Sequence, residues 1–172
     1  MILLVGFVLG GARAAKPQAI QEQQIKAAFL YNFAKFVEWP PQAFAAASDP
    51  FVVCAYGKNP VFDALKQGVE DKTVQNRTIS VKAVTTLSDV KACQVLYFDQ
   101  SATEHLSEML PALQKAHVLT VGETKSFTKE GGIIGFVVES SQLRFTINNA
   151  EAGKSGLSIS SKLLSLAKEV KD

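Results

Sequence analysis

The sequence is poor in the side chains that most often perform chemistry. Two histidines and two cysteines occur in 172 residues. His105 falls in a stretch that reads as helix and His117 opens one that reads as strand. No serine or cysteine stands at a motif spacing that would make either histidine a general base. Cys54 and Cys93 have no ligand cluster around them, which argues against zinc or an iron–sulfur centre. Phosphate-binding fingerprints are missing too. The stretch AYGKNP, 55–60, offers one glycine and Lys58 where GxGxxG or GxxxxGK[ST] needs more. Its amides at a helix start could hold an anion, and the same residues make an ordinary βα turn. Asp99 is the best acidic candidate, because ligands of α/β domains gather beyond the carboxyl ends of strands; a capping role competes. Catalysis is therefore unsupported, and no cofactor or metal site is expected.

Strong charge is absent as well: 18 basic and 16 acidic residues leave a net charge of +2. No basic run is interleaved with aromatics, so nothing supports a nucleic-acid groove. Long polar or repetitive tracts are missing, and the length suits one folded domain. Long apolar runs are missing except at the start. MILLVGFVLGGARAA, 1–15, reads as a secretory signal peptide without its basic leader, cut near Ala14 or Ala15. A short N-terminal anchor is the alternative. Export would place Cys54 and Cys93 in an oxidising compartment, where a bridge competes with two buried thiols.

The remainder is rich in patterned apolar residues. Residues 20–38 read as a helix with Ile25, Ala28, Phe29, Phe33, Phe36 and Val37 on one face and Lys26 turned away. Pro40 and Pro41 end it. FVVCAY (51–56), TISVKAV (78–84), CQVLYFD (93–99) and HVLTVG (117–122) read as buried strands, with helices at 60–68 and 102–115 between them. Residues 132–149 read as a hairpin turning at Ser140 and Ser141, and 157–170 as an amphipathic helix. The order implies a compact α/β layered sandwich, mostly parallel, with an antiparallel C-terminal hairpin at its edge.

Within YNFAKFVEWP, 31–40, the phenylalanines suit a core stripe. Trp39 follows the helix end, where its ring need not join the buried face and would suit a partner anchor. Adjacent Leu163 and Leu164 cannot both face one narrow stripe, so one of them suits a partner or dimer face; ordinary packing of both on a wide buried face competes.

IKAAFLYNFAKFVEWP (25–40) together with GGIIGFVVESSQLRFTINNAEAGKSGLSISSKLLSLAKEV (131–170) resembles the YfiR-like family of bacterial periplasmic proteins. The resemblance covers the whole mature chain, 20–172. It implies a compact, commonly dimeric α/β sandwich without enzymatic activity. Such a protein represses an inner-membrane diguanylate cyclase by binding its periplasmic sensor domain, and an outer-membrane partner relieves repression by sequestering it. Family members also occur beside sensor kinases, so a periplasmic ligand or nucleotide sensor is the alternative reading. The resemblance implies a Cys54–Cys93 disulfide and a partner or dimer surface built from Phe36, Trp39, Pro40, Leu163 and Leu164. A second bridge of that repressor has no counterpart, since Thr128 and Gly135 occupy the region.

Overall fold

The computed structural model describes residues 15–172; the expected signal peptide falls on residues 1–14, outside the described residues, except for its last position. Helix α1 (Ala15–Phe36) leads into a two-residue strand β1 (Val37–Glu38). There follow β2 (Phe51–Tyr56), α2 (Val61–Gly68), β3 (Thr73–Val74), β4 (Arg77–Val84), α3 (Leu87–Val90) and β5 (Val95–Phe98). The chain continues through α4 (Leu106–Lys115), β6 (Leu119–Gly122), β7 (Ile134–Glu139), β8 (Gln142–Asn148) and α5 (Asn149–Lys154). It ends with β9 (Ser158–Ile159), α6 (Ser161–Leu166) and β10 (Glu169–Lys171).

Eight strands form one sheet in the order β10-β8-β7-β6-β5-β2-β4-β3. The central run β4-β2-β5-β6-β7 is parallel, and β8 folds back antiparallel on β7, as the expected hairpin edge. Buried parallel strands need apolar residues on both faces, and all of FVVCA in β2 and VLYF in β5 is buried. Ser140 and Ser141 both have positive φ, the geometry of a tight hairpin turn matched to strand twist. The chain leaves β2 toward α2 on one face and β5 toward α4 on the other, so the sheet has a topological switch point between these strands.

The buried stripe of α1 is rotated from the expected one. Lys26, Ala27, Leu30, Phe33 and Ala34 face inward, followed by Val37 of β1, whereas Ile25 is exposed. Lys26, expected outside, is 5% exposed and pairs with Glu22 at 2.6 Å and Glu123 at 2.7 Å. Leu30 shifts the apolar centre, and the two carboxylates make burial of the ammonium tolerable.

The expected helix over 157–170 is a correction. Ile159 pairs with Val37 in a separate two-stranded sheet, and only Ser161–Leu166 are helical, capped by the Ser160 side chain accepting from the Leu163 N–H. The Lys168 N–H then donates to the Phe145 carbonyl at 2.8 Å, and β10 joins β8 in parallel. Helical spacing of Ile159, Leu163, Leu166 and Val170 concealed this, yet Leu166 and Val170 are exposed. Backbone pairing to a waiting sheet edge has overridden the apolar period.

Candidate functional site

The exit of α1 and the last helix meet in space. The Ser160 N–H donates to the Phe36 carbonyl at 2.9 Å, beside the β1–β9 pairing of Val37 with Ile159. The Lys162 ammonium lies 5.1 Å from the centre of the Phe36 ring, within cation–π range. Phe36, Pro40 and Leu164 are partly exposed, while Leu163 is buried. Leu163 is core, and Leu164 is half-buried with one side packed against the same core cluster.

Trp39 does not stand out from the surface. It is 8% exposed, its ring stands edge-on to Phe51 at 4.9 Å, and its Nε1–H donates to the His117 carbonyl at 3.0 Å. The ring turns inward because β1 carries the chain back along the core edge, where an indole finds both an apolar wall and an acceptor. His117 is the other half of this clasp. Its φ is 58°, and its Nδ1 lies 2.9 Å from the Ser155 carbonyl, a contact made as Nδ1–H donor. Trp39 and His117 thus fasten the exit of α1 to the start of β6 and the end of α5.

The cysteines expected to pair do so. Cys54 on β2 and Cys93 just before β5 are bridged, with Cα atoms 5.9 Å apart, and no free cysteine remains. The neighbouring strands bring them together: Cys54 lies opposite Leu96, one pleat from Val95.

The acidic and anionic candidates have structural partners. Asp99 Oδ1 accepts from the Ser101 hydroxyl at 2.7 Å and the Ala102 N–H at 3.0 Å, so Asp99 caps the following turn and Ser101 assists. In AYGKNP, Gly57 takes φ 69°, Asn59 Oδ1 accepts from the Val61 N–H at 3.0 Å, and Lys58 is exposed. Burial alone would lower the Lys26 pKa, but hydrogen bonds to Glu123 and Glu22 and their charge outweigh it and hold the ammonium above its ordinary 10.5. Among the described residues, no three His, Cys, Asp or Glu side chains gather as a metal-binding group, and no helix is long and apolar enough to cross a membrane.

The profile of a family described as YfiR/HmsC-like matches residues 23–168. No curated protein matches the sequence. Among solved structures, one described as the ABC domain in complex with L-Trp from Streptococcus pneumonia superposes with a TM-score of 0.56 at 12% identity, covering 86% of this chain and 60% of that one. A conserved domain protein from Vibrio cholerae O1 biovar El Tor str. N16961 gives 0.53 at 15% identity, covering 89% and 60%. At such identities the likeness is one of fold, and the chain spans 60% of the length of each.

Proposed function

The chain belongs to the YfiR/HmsC-like family, and on that premise we propose that it is a non-enzymatic periplasmic regulator of cyclic di-GMP signalling. It acts by binding the periplasmic sensor domain of an inner-membrane diguanylate cyclase and holding the enzyme in its inactive state. The family match over 23–168 carries this reading. The Cys54–Cys93 bridge is in keeping with an oxidising compartment.

Inhibition of this kind requires the regulator to bind the inactive cyclase more tightly than the active one, because equal affinity shifts nothing. The contact we assign is the surface of Phe36, Pro40 and Leu164, with Lys162 at its margin. Trp39 and Leu163 serve it from below by fixing the α1 exit and α6. The same surface would be the homodimer face or the point at which an outer-membrane partner competes with the cyclase.

The test is recovery of partners from solubilised envelope by the tagged protein, with cyclic di-GMP measured after deletion. A membrane cyclase should be recovered and the nucleotide should rise. Leu164→Asp should abolish recovery; because Leu164 also packs on the core, the variant's fold is checked by its thermal midpoint, and Lys162→Glu at the exposed margin should weaken recovery with that midpoint unchanged. Unchanged cyclic di-GMP and no cyclase recovered would sink the proposal.

A further inference from the structure

Beyond the partner surface, the switch point between β2 and β5 forms a crevice of ≈ 330 Å³, lined by Glu22, Lys26, Asn59, Tyr97, Asp99 and Glu123, among others. None of these belongs to the surface assigned to the cyclase. Two of them carry buried hydrogen-bonding atoms without a partner, Asn59 Nδ2 and Tyr97 Oη. Asn59 is 8% exposed and Tyr97 fully buried. Buried polar groups are nearly always paired, so two orphans in the wall of one crevice are a signal, and open α/β sheets bind ligands at this place.

The lining restricts what could enter. Three carboxylates, of Glu22, Asp99 and Glu123, face one ammonium, of Lys26, and two of the three already hold it. An anion would meet net negative charge. A cation without acceptor atoms would suit the carboxylates and leave the Asn59 N–H and the Tyr97 hydroxyl unpaired. A hydroxyl group answers both needs, since it donates to a carboxylate and accepts from an N–H or O–H. Adjacent hydroxyls on a small ring would do so repeatedly.

We propose that this crevice binds a small uncharged polyhydroxylated molecule of the monosaccharide class. The Asn59 amide is fixed, because its Oδ1 is engaged by the Val61 N–H, and Nδ2 is left as an unpaired donor just behind the crevice wall. Lys26, clamped by Glu22 and Glu123, holds those carboxylates in place as hydroxyl acceptors.

The experiment is a titration of the isotopically labelled protein with D-glucose, D-galactose and N-acetylglucosamine, with acetate and spermidine as charged controls. At least one sugar should shift the amide signals of Asn59 and Gln100 saturably, and the controls should not. Tyr97→Phe, which keeps the ring, should weaken that sugar by about tenfold, the effect of one hydrogen bond. Asn59→Asp keeps the acceptor that caps α2 while removing the donor, and should weaken it similarly, so the test survives if either variant folds poorly. Four results would each overturn the proposal: no response to any sugar at about 10 mM, well above ordinary millimolar affinity; the same shifts with acetate or spermidine; equal sugar affinity in both variants; or a bound water as the sole occupant. None of these measurements involves a cyclase, so the outcome is separate from that of the regulatory reading.

Discussion

The two faces of the sheet are held together by different means. On one, α1, α2 and the C-terminal segment pack over a broad cluster that includes Leu30, Phe33, Trp39, Phe51, Phe136 and Phe145. Its centre is aromatic: Phe33 lies 5.1 Å from Phe145 and 5.8 Å from both Phe29 and Phe136, ring to ring. On the other face, α3 and α4 cover a smaller cluster of Val90, Leu96, Phe98, Leu106, Leu113 and Phe127. That smaller cluster contains both members of the disulfide. The Phe127 ring lies against both Gly122 and Gly132, where any Cβ would overlap it, so the packing there leaves no room for either position to grow. The face with more apolar area relies on burial, and the one with less carries a covalent brace across β2 and β5. The contrast follows from the topology: α1 spans one face as a 22-residue helix, whereas α3 and α4 have 4 and 10 residues.

If burial holds the first face, removing its central ring should have the larger effect. Phe33→Ala deletes a side chain with no exposure and should cost about 3–5 kcal/mol in urea unfolding. A loss below about 1 kcal/mol would mean that neighbouring rings close the gap, a response that this close-packed stack should not permit. On the second face, Cys54→Ala with Cys93→Ala should cost about 2–4 kcal/mol, in line with opening a loop closed across 39 positions. Reductant applied to the native sequence should reproduce that loss. If hydrogen exchange after reduction rises equally on both faces, the brace serves the whole sheet, and the distinction between the faces fails.

These two faces were not equally legible in the sequence. A continuous apolar run broken at Gly57 identifies β2, and Pro40 with Pro41 stop α1, because these signals are local. The hairpin at Ser140–Ser141 follows from local rules as well. What failed depended on distant partners. Residues 169–171 fit the period of a helix but extend the sheet, since β8 offers an unpaired edge. Trp39 is turned inward by the His117 carbonyl, 78 positions away, and Lys26 is drawn in by Glu123. The proposed partner surface was named from its residues, yet the contact between Phe36 and the start of α6 rests on two-residue strands too short to read. The crevice was legible in part, since Asp99 and the stretch 55–60 are both candidates at strand ends, whereas Lys26 and Tyr97 join them only through the sheet topology.

The smallest expected effect sharpens the comparison from the polar margin of the first face. Lys26 is 5% exposed and its pKa is raised, burial opposing the shift and the hydrogen bonds and charges of Glu123 and Glu22 producing it. A raised lysine pKa means that the folded state binds its proton more tightly than the unfolded chain does. Its contribution is therefore complete below the unfolded lysine value and is lost as pH climbs through the folded one. Stability should be insensitive to this group through the neutral range and fall only above about pH 10, where an unfolded lysine titrates. The relevant quantity is the difference between the native sequence and Lys26→Met, measured by urea unfolding at successive pH values, because it isolates this one group. That difference should be level from neutral to mildly alkaline conditions and shrink above about pH 10. A difference independent of pH would mean that the Lys26 stem packs the α1 face and the ion pairs add nothing, which would make this margin as purely apolar in its energetics as the cluster beneath it.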